Sequence, residues 1–119
     1  MIQILEHSEG PLIAFRILEK SYKADICHIN RLIKKTADNY DYVHLYIEID
    51  EIEGLETILI WKDLYETIEH PDKLKKAAVI TRHALDKILV NSMRKWNKCD
   101  VEYYAERKSL SALKWLITK

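Results

Sequence analysis

The sequence predicts an α/β domain with a mixed, mostly parallel five-stranded sheet and about four helices in the order ββαβαβαβα. Three observations predict it. Val43, Leu45, Ile47 and Ile49 alternate with His44, Tyr46 and Glu48, the period of a strand with one deeply buried face. The acidic run Asp50-Glu51-Ile52-Glu53-Gly54 ends that strand and an apolar helix begins at about Leu55, so the stretch reads as half of a βαβ unit. After an opening hairpin, strand-type and helix-type segments then alternate, which implies parallel strands covered by helices. At 119 residues the expectation is one domain, 1–119, around one core.

Each element has its own signal. Ile2, Ile4 and Leu5 form a short first strand, and Ser8-Glu9-Gly10-Pro11 is a turn in which glycine supplies positive φ. Leu12–Leu18 is the antiparallel return strand. Tyr22, Ile26, Ile29, Ile33, Ala37 and Tyr40 recur every three or four residues, predicting an amphipathic helix from about Tyr22 to Asn39. Its N-cap is Ser21, its exit is Asn39, and Lys23, Arg31, Lys34 and Lys35 lie on the solvated side. The helix from Leu55 runs to His70, where Pro71 closes it. Lys75–Thr81 is an interior strand, and Arg82–Asn97 a helix with Leu85, Ile88, Leu89, Met93 and Trp96 inward. Val101–Ala105 is the last strand. Ser109 caps a final helix with an apolar stripe of Leu110, Leu113 and Ile117.

Composition narrows the function. Hydrophobic residues make up 48% and charged residues 32%, the values of an ordinary globular protein. Nineteen basic residues balance nineteen acidic ones, so no basic field of the kind that holds nucleic acid is expected. Cys27 and Cys99 lack CxxC spacing, which argues against a zinc site or redox pair and for reduced thiols. The N-terminal Met1-Ile2-Gln3-Ile4-Leu5-Glu6 lacks the basic flank and long apolar run of a signal peptide. No apolar run approaches the roughly 18 residues of a membrane span. A cytoplasmic protein, free or peripherally associated with a membrane, is the expectation.

Several landmarks together resemble a known family. They are Met1-Ile2-Gln3-Ile4-Leu5 with Gly10, the segment Ile47-Glu48-Ile49-Asp50…Glu53-Gly54, and Leu59-Ile60-Trp61-Lys62-Asp63-Leu64 after it. Lys76-Ala77-Ala78-Val79-Ile80 and Ala112-Leu113-Lys114-Trp115-Leu116 complete the series. In order and spacing the chain resembles SpoIIAA-like, STAS-type domains, a group also compared with the lipid-binding CRAL-TRIO fold. The resemblance implies a mixed sheet with packed helices and a protein that is not an enzyme. In the anti-sigma-factor antagonists it also implies a phosphorylatable serine at the start of the second helix. The matching residues here, Asp50 to Thr57, hold no serine. Thr57 is the one hydroxyl among them, and a phosphate there would meet carboxylates instead of arginines. The resemblance therefore carries the fold further than the switch.

The candidate site is the loop Asp50, Glu51, Glu53 and Gly54 with the helix that follows. Leu55, Ile58, Leu59, Tyr65 and Ile68 fall on one face of that helix, and Ile60, Trp61 and Leu64 widen the apolar surface beyond it. A helix covering a sheet needs a stripe of little more than about 100°. Either neighbouring helices cover the surplus, or an outside body does: a small apolar or lipid-like ligand, a membrane surface or a second copy of the chain. Ile60, Trp61, Leu64 and Tyr65 would line such a contact, although a tryptophan such as Trp61 is more often part of a core. Asp50, Glu51 and Glu53 lack the spacing of a calcium loop, so a solvated acidic loop without metal is expected. The histidines are scattered, and no nucleophile elbow, GxGxxG or P-loop occurs, so no cofactor is expected. Lys73, Lys75, Lys76, Arg82, Lys87, Arg94, Lys95 and Lys98 make the second half locally basic. A ligand-binding or membrane-docking module is the first expectation, and a homodimeric interaction module the second.

Overall fold

The computed structural model describes residues 2–17, 23–49, 71–81 and 100–118. Five strands form one sheet: β1 (Ile2–Ile4), β2 (Leu12–Ile17), β3 (Val43–Ile49), β4 (Leu74–Thr81) and β5 (Asp100–Ala105). Two α-helices lie among the described residues, α1 (Lys23–Asn39) and α2 (Ser109–Ile117). The helices expected over 55–70 and 82–97 fall outside the described residues.

The strands lie side by side in sequence order, β1-β2-β3-β4-β5. β1 runs antiparallel to β2, with Ile2 opposite Ile17 and Ile4 opposite Phe15. The other three pairings are parallel, as alternating strands and helices predict. The described crossover helix α1 joins β2 to β3 on one face, and α2, which follows β5, packs on the other.

The two faces can be read from the registers. Ile13, Phe15, Val43, Leu45, Ile47, Ala77, Val79 and Val101 are all buried and alternate along their strands onto the α1 side. Ile29, Ile33 and Ala37 of α1 are buried as well, which fulfils the spacing seen in the sequence. On the other face Ala14, Tyr46, Ala78 and Ile80 pack with Ala112 and Leu116 of α2. β3 is therefore buried on both faces, not one. Tyr46 is 0% exposed and His44 only 4%. The alternation misleads because Ala14 and Ala78, opposite Tyr46 in the neighbouring strands, leave room for α2 to close over the ring.

Three further expectations are corrected. Ser109 does not cap α2. A 3-10 turn, Glu106–Lys108, leads in, Lys108 occupies the cap position without a side-chain hydrogen bond, and Ser109 is the first helical residue. Of the stripe Leu110, Leu113 and Ile117, Leu113 alone packs against the sheet. Leu110 and Ile117 are each 72% exposed, because the small Ala112 lets Leu116 and the half-buried Leu113 and Trp115 reach the sheet instead. Tyr40 lies past the end of α1 and is 43% exposed, with its ring over Gly10.

Gly10 has φ 57°, the left-handed conformation that the turn requires and that glycine adopts without steric cost. Beside this turn, where β1 has ended, the Ser8 hydroxyl accepts from the Ala14 N–H at 2.8 Å and donates to the Ala14 carbonyl at 3.1 Å. One serine thus occupies the edge of β2 beyond its partner strand.

Candidate functional site

Open α/β sheets place ligands outside the carboxyl ends of their parallel strands. In this protein that edge holds a compact polar group. Register sets Arg16 of β2 beside Glu48 of β3, and the Arg16 Nε–H donates to Glu48 Oε2 at 2.7 Å. Tyr46, two residues earlier on the same face, donates its hydroxyl to Glu48 Oε1 at 2.8 Å. One carboxylate thus collects a cation and a buried phenol. The His7 ring packs edge-on against Tyr46, with centroids 5.4 Å apart at 81°.

Burial pushes the Tyr46 phenol far above its ordinary value of 10, and the hydrogen bond to Glu48 and its charge push the same way. The Ser109 hydroxyl and the Arg16 charge pull it down by less. A phenol so held keeps its proton at neutral pH and serves as a fixed donor, not an acid or a nucleophile. The guanidinium and carboxylate offset each other in charge. The group braces the edge at which β3 ends.

At the opposite, amino edge three side chains satisfy the ends of both helices. The last carbonyls of a helix have no partner within it. Lys73 Nζ donates to the Ala37 carbonyl of α1 at 2.6 Å. Lys76 Nζ donates to the Trp115 and Thr118 carbonyls at 3.1 and 2.6 Å, and sits 5.0 Å from the Trp115 ring centre. His44 Nδ1 lies 2.6 Å from the Leu116 carbonyl, and since a carbonyl can only accept, Nδ1 carries the proton. Burial lowers the His44 pKa, helped by the Lys76 charge and opposed by the hydrogen bond to Leu116. A shift in register where β3 meets β4 pairs Val43 with Leu74 and His44 with Lys76. Lys75 is thus the extra residue, and Leu74 and Lys76, two apart, stand beside Val43 and His44 on opposite faces of the sheet.

A cleft of about 300 Å³ also lies at the amino edge, between the turn before β2 and the end of α1. Leu12, Ile13 and Leu32 line its interior, with Glu9, Lys35 and Tyr40 among its exposed margins. Among the described residues no three His, Cys, Asp or Glu side chains gather as a metal site would require. No described helix is long and apolar enough to cross a membrane. Cys27 is exposed and carries a free thiol.

The predicted site residues Asp50, Glu51, Glu53, Gly54, Ile60, Trp61, Leu64 and Tyr65 lie outside the described residues. The strand that leads to them is placed as expected, and its last described residues carry the Tyr46–Glu48–Arg16 group. Sequence reading overlooked that group. The signal that could have found it was a tyrosine and a glutamate two apart in a strand, with an arginine as the fifth residue of the parallel neighbour.

A family model described as SpoIIAA-like matches residues 12–117. The chain belongs to the SpoIIAA-like family. This SpoIIAA-like domain is also similar in structure to an uncharacterized protein of the DUF3478 family from Shewanella loihica PV-4, whose crystal structure has a SpoIIAA-like fold. The TM-score is 0.68 at 17% identity, over 98% of this chain and 92% of that one. The likeness at that identity concerns the fold alone. No curated protein matches the sequence. The family found by these comparisons is the one that the landmark residues resemble, and the sheet of mostly parallel strands is the one that they imply.

Proposed function

We propose that this SpoIIAA-like domain acts by binding and not by bond chemistry. Its ligand is a small apolar or lipid-like molecule, taken up or met at a membrane surface where the chain leaves the carboxyl edge of β3. The observation that carries the reading is the apolar breadth of the sequence from Leu55 to Ile68, where Ile60, Trp61, Leu64 and Tyr65 exceed what one sheet-covering stripe needs. The edge it leaves from supports the same reading. There Glu48 is tied to Arg16 and Tyr46, and the phenol keeps its proton, so the described side chains brace a surface instead of offering a base or nucleophile.

Native mass spectrometry of freshly purified protein tests the proposal. A co-purifying apolar molecule, lost in the Trp61→Ala and Leu64→Ser variants, is expected. Protein free of any ligand, which also fails to take up added fatty acid or phospholipid, would remove it. A domain working in the cytoplasm, free or at a membrane face, fits this function.

A further inference from the structure

We propose that the outer edge of α2 is a docking surface for an anionic membrane, with Leu110 and Ile117 as the apolar contacts and Arg107, Lys108 and Lys114 as the cations around them. This goes beyond the ligand reading, since it uses different residues and survives if that reading fails.

Four observations carry it. Leu110 and Ile117 are seven residues apart, two helical turns, and so share one edge of α2 about 10 Å long. Each is 72% exposed, on a helix whose opposite face is sealed against Tyr46, Ala78 and Ile80. A scattered exposed leucine is ordinary. Two large aliphatic side chains in line on the same nine-residue helix are a surface.

Over residues 106–117 three charged side chains are cations and one is acidic. Arg107 and Lys108 are exposed in the turn that leads into α2, Lys114 is exposed between the two aliphatic residues, and α2 contains no acidic residue. Glu106 is the acidic member of the leading turn. The wider sequence leans the same way, because residues 71–119 hold 12 of the 19 basic residues and 5 of the 19 acidic ones. The chain is neutral as a whole and polarised along its length. An anionic partner is therefore favoured over a second copy, which would set one Lys114 against the other across an antiparallel helix pair.

Between anionic partners, the apolar residues choose the membrane. Leu and Ile on a convex helix edge can enter hydrocarbon without a matching shape. Protein interfaces draw their binding energy from aromatic and arginine anchors seated in pockets. A short helix edge is also small beside the roughly 1,200 Å² that specific protein interfaces bury.

Vesicle flotation of the full chain tests this. The protein is expected to float with vesicles of equal parts phosphatidylglycerol and phosphatidylcholine, and not with phosphatidylcholine alone. Added salt should weaken the binding, by about fivefold for each cation engaged. The double variant Leu110→Ser/Ile117→Ser and the charge reversal Lys114→Glu should each lose about tenfold or more in vesicle affinity. Both substitutions are on exposed positions, so the thermal midpoint should stay within a few degrees of the unaltered protein and exclude unfolding as the cause. Failure to float on anionic vesicles, or flotation of the double variant equal to the parent, would overturn the proposal. So would retention on an immobilised acidic peptide without vesicle binding, or a dimer in light scattering that the double variant dissolves. Ligand loss read by native mass spectrometry moves independently of all these outcomes, so the two readings can fail separately.

Discussion

Glu48 receives one hydrogen bond from Arg16 and one from Tyr46, and the two differ in weight. The Arg16 side chain is 36% exposed and that of Glu48 22%, so solvent screens the ion pair and its net contribution is under about 1 kcal/mol. The Tyr46 hydroxyl is buried and donates to a charged acceptor, a bond of about 1.5 kcal/mol or more. Tyr46→Phe is expected to cost more stability than Arg16→Met, the reverse of what formal charge suggests, and denaturant melts of the two variants check it. His44 yields a second prediction. Burial holds its folded pKa below the ordinary 6.5, so between those values the unfolded chain binds a proton that the folded chain does not. Its contribution is present above 6.5 and drains away as the pH falls toward the folded value. The thermal midpoint should fall from about pH 7 to about pH 5.5, and His44→Gln, which keeps an amide to meet the Leu116 carbonyl, should flatten that slope.

At the scale of elements, α2 depends on small residues where it crosses the sheet. Ala78 and Ala112 are fully buried beside Tyr46. Ala78→Leu adds volume to a filled space and is expected to cost about 1–3 kcal/mol. Tryptophan fluorescence should report a displaced α2 through Trp115, which packs 6.2 Å from Tyr104. The same crossing explains which parts of the fold the sequence disclosed. Periodicity found all five strands and α1 within a residue or two, because Ile29, Ile33 and Ala37 or Val43, Leu45 and Ile47 each face one uniform apolar environment. It did not reveal the inner face of α2, since Leu110 and Ile117 fall in step with Leu113 and alanine gives little hint of burial. What decides there is the space left by Ala14 and Ala78, far away in sequence. The polar edge escaped for the same reason: Arg16 and Glu48 meet only through strand register, 32 residues apart in sequence.

At the scale of the molecule, β3 is the axis. It is bonded on both sides, to β2 and β4, and its residues 43–47 are all buried. Hydrogen exchange should be slowest for amides of Leu45–Ile47 and Ala77–Val79, and fastest among the strands for β1, which has three residues and sits at the sheet edge. An exchange map with β1 protected as long as β3 would contradict that order.

The sheet is ordered as it is written, and this bears on how it is made. A ribosome releases β1 through β5 in the sequence that they occupy across the sheet, so every new strand finds its neighbour already present. Among the described elements α2 breaks that economy: translated after all five strands, it must return over β3 and β4 to cover Tyr46, Ala78 and Ile80. Until it emerges, the growing polypeptide bears a bare greasy flank, and that interval is when a chaperone would have most to hold.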